Sequence, residues 1–376
     1  MPFQESSLVQ VRERFCKRVG DGESVTSACR EEGISRQTGY RVLAQYLRDG
    51  REGLLPHSRR PHFSPNKISE ELEDAVVRSR LEHPTWGARK LSAYLLGEGV
   101  ECPKSTIGRV LKRNGLIKQE EAVKHRAWKR FESGEPNQMW QMDFTDFRPE
   151  GGKAPSHVLV ILDDASRYAI RLGAYSNEQR ETVKEALKEA FQTYGLPNVI
   201  LTDNGAPWGS CGNGEGYTKL SVWLIRLNIR PVHSRAYHPQ TIGKVERFNR
   251  TLKSEVDWES FEGLAEFQVG LDAYLDLYNS KRPHASLGER VPASLYRPSP
   301  RPYPEKLEAI ENDSAYLVRK VGSKGEIYLK NRVYRVGQAF TGLPVGLQRT
   351  DDDKYNVYFM RERIAMISLS PDNQNV

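Results

Sequence analysis

The sequence predicts a multidomain chain with N-terminal helix-turn-helix units, a central α/β domain and a small C-terminal β-barrel. Three observations support this fold class. Apolar residues follow a helical period up to about residue 117, strand-like alternation begins at Asn137, and short strand-like runs follow a proline-rich segment at 296–304. The 376 residues suffice for two to four domains, at about 100–200 residues per domain.

The composition excludes several classes of protein. Hydrophobic residues make up 38% of the chain and charged residues 28%, as in soluble globular proteins rather than disordered ones. No apolar run approaches the roughly 18 residues of a membrane helix, and the N-terminus lacks the pattern of a signal peptide. The four cysteines include no CxxC pair, so we expect a reduced, cytoplasmic chain without a zinc site or disulfide framework.

The net charge of +7 is concentrated in the N-terminal third. Residues 1–135 hold 25 Lys and Arg against 19 Asp and Glu, whereas residues 136–376 hold 31 against 30. A basic segment of this kind suits the neutralisation of phosphates. A solvated surface with a modest bias accounts for the charge alone equally well, so the motifs must decide.

Residues 1–60 read as a helix-turn-helix domain. Three helices are expected between residues 8 and 48, with Gly33 ending the second and Ser35 capping the third. The third helix opens with polar and basic side chains, which is typical of a helix that enters a DNA major groove. A three-helix packing module without DNA is the alternative. The candidate DNA contacts are Arg36, Gln37, Thr38 and Arg41, with Arg59 and Arg60 in the basic, proline-rich stretch that follows.

Residues 61–118 form a second helix-turn-helix-like domain in this interpretation. Helices are expected to begin after Ser69, near Trp86 and after Pro103. Two such units in tandem indicate a long, specific DNA site. A charged linker at 119–136 follows. The candidate phosphate contacts on the third helix are Lys104, Arg109, Lys112 and Arg113.

The central segment, 137–300, predicts an α/β domain with a mixed sheet. Three strands come first as a meander, and helices then alternate with two more strands. The strands are expected at 139–147, 157–162, 168–175, 199–202 and 229–233, and the intervening helices at 178–194 and 220–227.

Three carboxylates occupy notable positions in this domain. Asp143 lies inside a strand among apolar residues, where a charge is costly unless it is paired or metal-bound. Asp203 follows the fourth strand, at the sheet edge where α/β domains place ligands, and Glu246 lies in the first turns of a helix. Such acids can converge on Mg²⁺, which prefers carboxylate oxygens, and pairs of ions serve phosphoryl transfer.

Three segments carry a specific resemblance. MWQMDFTDF, LTDNG and YHPQTIGKVERFNRTLKSE resemble the catalytic blocks of the DDE transposases and retroviral integrases, most closely bacterial insertion-sequence transposases with an integrase core. The gap of 60 positions between Asp143 and Asp203 is typical of that core; the gap of 43 to Glu246 is longer than in retroviruses and contains a glycine-rich loop at 207–216. Ile242 departs from the family, which usually has a polar residue there, near substrate DNA.

The resemblance implies a ribonuclease-H-like catalytic core over 137–300 and the activity of a DNA transposase. Such a protein binds the ends of a mobile element and catalyses metal-dependent DNA strand cleavage and strand transfer into target DNA. Asp143, Asp203 and Glu246 would be the catalytic residues and would hold two Mg²⁺ ions, for which Mn²⁺ can substitute.

The resemblance also implies partners and a location. The expected partners are double-stranded DNA, as terminal inverted repeats and as target, and at least one further copy of the chain, because two ends must be joined. We expect no membrane partner and a nucleoid-associated protein of the bacterial cytoplasm.

Two alternatives share parts of this design. A non-catalytic DNA-binding regulator derived from a transposase would keep the helix-turn-helix units over an inactive core, but the intact acidic triad argues against it. A ribonuclease H acting on hybrids would share the core but would not need two N-terminal DNA-binding units.

Several other side chains of the core are expected to lie near the site or on the opposite face of the sheet. Strand alternation turns Asp146 away from Asp143, and Asp163 and Asp164 end a strand before a turn, where aspartate is common. Arg250 is expected to share a helix face with Glu246, either to contact the DNA backbone or to form an i, i+4 ion pair. The candidate DNA-binding residues here are His238, Lys244, Arg250 and Lys253.

The last part of the chain contains a closing motif and a separate domain. Residues 279–284 resemble the Asn-x-x-Arg-Pro-His segment of the same transposases, which implies packing of the preceding helix, with Arg282 and His284 near DNA. Four alternating prolines at 298–304 predict a stiff linker. Residues 312–370 predict the small β-barrel, which in the family binds DNA or neighbouring protomers.

Overall fold

The computed structural model describes residues 8–55, 68–117, 133–147, 156–203, 205, 207–208, 216–233, 243–351 and 353–369. The chain divides into two compact units, Met1–Ile68 and Ser69–Val376, and each is considered by itself. Within the described ranges, no helix is long and apolar enough to cross a membrane.

The first unit is a three-helix domain made of α1 (Leu8–Gly20), α2 (Val25–Glu31) and α3 (Arg36–Asp49). The Oγ of Ser35 accepts the backbone N–H of Thr38 over 3.2 Å and so caps α3. Gly39 lets α3 approach the core closely, since a Cβ there would lie 2.3 Å from the Cys29 Sγ. The helix-turn-helix prediction is confirmed. The core side chains are Phe15, Cys16, Ala28, Cys29, Val42 and Leu54.

A second group of three helices opens the other unit. It contains α4 (Glu70–Glu82), α5 (Ala88–Gly97) and α6 (Lys104–Arg113). The turn between α4 and α5 is built around the buried Trp86, whose ring stacks on His83 at 3.8 Å. Trp86 therefore fixes this turn against its own helices.

A five-stranded mixed sheet forms the centre of the same unit. Strand β1 is the middle strand of the order β3-β2-β1-β4-β5, antiparallel to β2 and parallel to β4. The sequence pattern predicts the mixed sheet and the meander of its first three strands, and the structure adds the strand order. The strands are β1 (Met139–Phe147), β2 (Ser156–Asp163), β3 (Ala169–Tyr175), β4 (Val199–Thr202) and β5 (Arg230–His233), and the helices are α7 (Arg180–Tyr194), α8 (Lys219–Arg226), α9 (Gly243–Glu255) and α10 (Leu264–Ser280).

The two faces of this sheet carry separate apolar cores. Trp140 and Met142 of β1 pack with α7 and α8 on one face, whereas helices α9 and α10 pack against β2 and β3 on the other. Because side chains alternate along a strand, residues 141 and 143 point toward the face covered by α9. The site lies on this second face.

The proline-rich segment at 296–304 is packed onto the sheet domain. Ser299 donates its backbone N–H to the carbonyl of Tyr194, and the guanidinium of Arg301 donates to the carbonyls of Pro197 and Leu227. Gly195, with φ +76°, makes room, since a Cβ there would lie 2.7 Å from two carbonyl oxygens of the segment. The linker is thus extended, as predicted, and held along its length.

The C-terminal strand domain is also confirmed. Its six strands pair as a four-stranded sheet, β11-β10-β9-β6, and a two-stranded sheet, β7-β8, around the buried Phe340 and Phe359. The tight turn at Lys330 and Asn331, both with positive φ, closes β7 and β8 into a hairpin of their own. The strands are β6 (Leu317–Lys320), β7 (Glu326–Leu329), β8 (Arg332–Arg335), β9 (Pro344–Asp351), β10 (Lys354–Phe359) and β11 (Glu362–Ser368).

Candidate active site

Asp143 lies in the middle strand of the sheet, largely removed from water. Burial, together with the negative charges of Asp203 and Glu246, raises the pKa of Asp143 to about 6. The three acids come from β1, from the loop after β4 and from the first turn of α9, as the sequence predicts. The structure therefore brings their charges close enough to affect one another.

Asn249 supports Asp143 and was not found from the sequence. Its Nδ2 donates a hydrogen bond to the Oδ2 of Asp143 over 2.9 Å, and its side chain is 8% exposed. Asn249 lies one helical turn after Glu246, so the same helix face carries one acid and positions another. The spacing i, i+3 from Glu246 was the available signal.

The loop that carries Asp203 is held from both sides. The Oδ1 of Asp203 accepts the backbone N–H of Gly205 over 3.0 Å, and a Cβ at Gly205 would crowd the carboxylate. The Nδ1 of His233, at the end of β5, lies 3.1 Å from the carbonyl oxygen of Asp203. Because a carbonyl only accepts, this hydrogen bond requires the proton on Nδ1. His233 is a second supporting residue that the sequence reading missed.

Glu246 is exposed in the first turn of α9, and the start of that helix is tied to β1. The Oε1 of the buried Gln141 accepts the backbone N–H of Val245 over 3.1 Å, and its Nε2 donates to Asp164 over 2.8 Å. One amide on β1 therefore fixes the helix terminus next to Glu246.

The three carboxylates are suitable ligands for a hard divalent cation, although their oxygen atoms do not form a compact metal site. Carboxylates from three elements repel one another around Asp143, and a cation would relieve this repulsion. Within the described residues, the ligand atoms of these acids do not all lie within 4.8 Å of one another. The three acids therefore provide carboxylate oxygens, the ligands that such a cation prefers, at the same edge of the sheet.

Asp163 and Asp164 are structural, as expected for the end of a strand. Asp163 is fully buried, and its Oδ2 accepts both the N–H and the hydroxyl of Ser166. Burial acts to raise the pKa of Asp164, but the ammonium of Lys244, 2.6 Å from its Oδ2, and the N–H of Ser133 lower it overall. The Lys244 side chain is only 13% exposed. Its ammonium is therefore directed toward Asp164 inside the protein, and its role as a DNA contact stays a prediction.

Asp146 lies on the opposite face, in a separate cluster. The Nδ1 of His157 is 2.9 Å from the Asp146 Oδ1 and 3.1 Å from the Glu178 Oε1. Of the described residues, these three have ligand atoms that lie within 4.8 Å of one another. The two carboxylates share contacts with the imidazole of His157, and these contacts explain why the three side chains lie close together.

The remaining DNA-binding candidates divide by exposure. Arg36, Gln37 and Arg41 are exposed along α3, whereas Thr38 is partly buried and bonded to the cap at Ser35. Arg250 and Lys253 are exposed on α9, the latter with its ammonium 5.1 Å from the centre of the Phe147 ring.

On α6, Lys104, Arg109 and Lys112 are exposed, and Arg113 forms an ion pair with Glu73. The candidates Arg59, Arg60 and His238, together with Ile242 and Cys211, lie outside the described residues.

Arg282 does not lie free for DNA. Its guanidinium is 7% exposed and pairs with Glu255, at the end of α9, whose carboxylate is 8% exposed. His284 packs edge-on against Tyr278, with ring centres 4.7 Å apart. The Asn279 side chain bonds the backbone of Ala169 in both directions. The closing motif therefore packs α10 and the end of α9, and the guanidinium of Arg282 is engaged by Glu255.

Family models match the chain in sections that follow these domains. An integrase core domain model matches residues 134–239 and a second one residues 227–292. A helix-turn-helix domain matches 12–62, and a homeodomain-like domain matches 38–111. The C-terminal domain of the IS481 family of transposases matches 316–375.

The chain is similar to viral polyproteins in its integrase region. It is 29% identical over 168 residues to the Gag-Pol polyprotein of feline leukemia virus and 30% identical over 179 residues to that of baboon endogenous virus, strain M7. These alignments cover 40% and 43% of this chain. The chain spans about a tenth of the length of these polyproteins, 9% and 10%.

Solved structures of integrases are similar at lower identity. The catalytic core domain of HTLV-2 integrase, in complex with magnesium, is 20% identical, with a TM-score of 0.34, over 43% of this chain and 98% of that chain. A chain of the simian T-cell lymphotropic virus intasome, in complex with a PP2A regulatory subunit, is 18% identical, with a TM-score of 0.38, over 79% and 99%.

The mixed sheet with its flanking helices and the matching domain models define an integrase-type core of ribonuclease-H-like fold. Helix-turn-helix and homeodomain-like domain models match before that core, and the C-terminal domain model of IS481 family transposases matches after it, so the chain is similar to integrases in its central part and to IS481 family transposases in its C-terminal domain.

Proposed function

We propose that this chain binds the ends of a mobile DNA element and uses Asp143, Asp203 and Glu246, with Mg²⁺, to cut DNA strands and join them to target DNA. The observation that carries the proposal is the convergence of these acids from three elements, close enough that the charges of Asp203 and Glu246 help burial to raise the pKa of Asp143. A carboxyl group with a perturbed pKa next to further acids is typical of a catalytic site.

A different residue of the chain positions each of the three acids. Asn249 orients Asp143, the Gly205 N–H orients Asp203, and Gln141 fixes the helix terminus beside Glu246. These contacts hold the acids in place, and Asp143, with a pKa of about 6, is mostly ionised at neutral pH. The three acids would hold one or two divalent ions, which when bound supply Lewis-acid activation of water and of phosphate oxygens.

The DNA-binding part of the proposal rests on exposed basic side chains. Arg36, Gln37 and Arg41 occupy the first turns of α3, where a recognition helix meets base edges. Arg250 lies on the same helix as Glu246, so a phosphate bound to its guanidinium would lie beside the acids. A second copy of the chain would serve the second DNA end.

A cleavage assay with an isosteric pair of variants tests the proposal. The substrate is a plasmid that carries the inverted repeats found next to the gene, incubated with the purified full chain in Mg²⁺ or Mn²⁺. Asp203→Asn, which keeps an oxygen for the Gly205 N–H, is expected to abolish nicking and strand transfer and to leave duplex binding within about two-fold. Asp146→Asn, on the opposite face of β1, is the matched control and is expected to retain cleavage.

The same assay separates the alternatives. Undiminished nicking by Asp203→Asn overturns the catalytic assignment. Specific duplex binding by the wild type without metal-dependent nicking would instead favour a DNA-binding regulator. Cleavage of an RNA–DNA hybrid but of neither DNA strand would favour a ribonuclease H.

A further inference from the structure

Glu255, the last residue of α9, has a nearly buried carboxylate that accepts hydrogen bonds from the side chains of Arg282, Tyr274 and the exposed Thr85. Its carboxylate accepts three contacts of 2.9 to 3.2 Å from the guanidinium of Arg282. The hydroxyl of Tyr274 donates to its Oε2 over 3.1 Å, and the hydroxyl of Thr85 donates to its Oε1 over 2.9 Å. The carboxylate is 8% exposed, so it depends on these donors for solvation.

The donors belong to different parts of the second unit. Arg282 follows α10 and Tyr274 lies within it, whereas Thr85 lies in the turn between α4 and α5, 170 positions away along the chain. The neighbouring Trp86 is 1% exposed, which fixes the backbone beside Thr85. The helical group α4–α6 is thus tied to the end of α9 through one hydroxyl.

Basic residues of the helical group extend this contact. Arg89 forms an ion pair with Glu289 over 2.6 Å, in the segment that follows α10. The largely buried ammonium of Lys90 is influenced by Arg282, Glu255, Arg247 and Glu289, and burial first of all lowers its pKa to about 8. The contact between the helical group and the core therefore has several charged members.

Helix α9 connects this junction with the candidate active site. Glu246 lies in the first turn of α9 and Glu255 is its last residue, so at 1.5 Å per residue the two are about 13 Å apart along one axis. The helix between them is held in the core by Val245, Phe248 and Leu252. A rigid helix with one end fixed transmits an axial shift to the other end.

We propose that Glu255 is a positioning residue through which the helical group α4–α6 sets the placement of α9, and with it that of Glu246. Thr85 is the contact by which the helical group acts on Glu255. This inference rests on the proposed function, because it assigns the role of a junction within the same strand-transfer enzyme. Its consequence is that the helical group α4–α6 influences turnover without touching the reacting strands.

A hydroxyl-deletion series tests the junction in the full chain. Thr85→Val removes the donor and Thr85→Ser restores it, while Thr193→Val removes an exposed hydroxyl of α7 that bonds only its own helix. With the inverted-repeat plasmid as substrate, Thr85→Val is expected to lower kcat about five- to ten-fold and to raise the Mg²⁺ concentration for half-maximal rate, the size expected for one lost hydrogen bond to a charge. KM, duplex affinity and the rates of Thr85→Ser and Thr193→Val are expected to stay within about two-fold of wild type.

A double-variant comparison distinguishes positioning from other roles. If Thr85 acts through Glu255, Thr85→Val combined with Glu255→Leu, which removes the acceptor, is no slower than Glu255→Leu alone. Additive losses, an unchanged kcat for Thr85→Val, or a weakened duplex affinity would each overturn the inference. If Glu255→Leu does not fold, the Thr85 series alone decides.

The control Asp203→Asn keeps the two proposals apart. If the wild type is active, Asp203→Asn is inactive and Thr85→Val is as active as the wild type, only the proposed role of Glu255 is overturned. A wild type without nicking activity removes the proposed function itself.

Discussion

The Nδ2 of Asn249 donates to the Oδ2 of Asp143 over 2.9 Å, and this bond crosses from helix α9 to the middle strand of the sheet. Because Glu246 lies three residues earlier on the same helix, the placement of two candidate catalytic acids is mechanically linked. A change in the position of α9 moves one acid and withdraws the support of the other.

Replacement of Asn249 by Ala is expected to reduce strand cleavage about ten-fold, because the Asp143 carboxylate loses a donor worth roughly 1–2 kcal/mol and its side chain gains rotational freedom. The measurement is single-turnover cleavage of the inverted-repeat substrate as a function of Mg²⁺. Asn356→Ala, on strand β10 of the C-terminal sheet, is the control and should cleave at the wild-type rate. Wild-type cleavage by Asn249→Ala would show that the bond is dispensable.

The stability of the metal-free protein is expected to increase in Asp143→Asn. The folded pKa of about 6 exceeds the unfolded value of about 3.9, so the folded state binds more protons between these values, and stability falls as pH rises through 6. Removing the charge should therefore stabilise by about 1–3 kcal/mol at pH 7.5, and by less as the pH falls below 6. Urea unfolding in EDTA at pH 7.5 and pH 5 measures both values. A destabilised variant at pH 7.5 would contradict the repulsion at the site.

Binding of Mg²⁺ is expected to weaken as the pH falls through about 6. At lower pH the Asp143 carboxyl holds a proton that a cation must displace, whereas at pH 7.5 it is already ionised. Isothermal titration calorimetry at pH 5 and pH 7.5 measures the change, and proton release at the lower pH should appear as a dependence on buffer ionisation enthalpy. Asp143→Asn should lose this pH dependence; if it keeps the full dependence, another group is responsible.

Replacement of Lys244 by Met is expected to destabilise the fold by about 3–5 kcal/mol, because the nearly inaccessible carboxylate of Asp164 loses its counter-charge. The affinity of the folded fraction for duplex DNA should not change. Denaturant unfolding together with fluorescence anisotropy checks both parts. A stable variant with weakened DNA binding would instead support the assignment of Lys244 as a DNA contact.

Arg250→Ala is expected to affect DNA binding but not stability, the opposite of Lys244→Met. The side chain is exposed, so stability should change by less than about 0.5 kcal/mol, whereas the slope of log affinity against log salt should fall by about 0.9 for one lost phosphate contact. Lys188→Ala, an exposed position on α7, is the control and should leave the slope unchanged. An unchanged slope for Arg250→Ala would remove it from the DNA interface.

Local patterns were sufficient to predict most of the elements. Strand β1 begins and ends at the predicted residues, and α9 begins at Gly243, in the block that carries Glu246, because alternation and helical period are properties of neighbouring residues. The positions of Asp143 on β1 and of Asp203 directly after β4 follow from the same signals. The pairing of strands, unlike their positions, could not be predicted in this way. The separation of β7 and β8 from the four-stranded sheet depends on tertiary contacts that no local pattern encodes.

The sequence analysis did not find the partners of several side chains near the site, and the reason is the same for each. Lys244 looked available for DNA because its partner, Asp164, lies 80 positions earlier, and Arg282 looked available because Glu255 lies 27 positions earlier. A charged side chain reads as solvated unless its counter-charge is near in sequence. Asn249 and His233 were missed for the same reason, since their roles depend on hydrogen bonds to residues of other elements.

The central place of β1 in the sheet has a consequence for the kinetics of opening. Its amides are bonded to β2 along its length and to β4 at its start, so the strand that carries Asp143 should exchange its hydrogens only when the whole sheet melts. Glu246, in contrast, lies on a helix whose ends are held by the side chains of Gln141 and Arg282. One side of the candidate site is therefore expected to be as long-lived as the sheet, and the position of the other side depends also on the side-chain contacts at the two ends of α9.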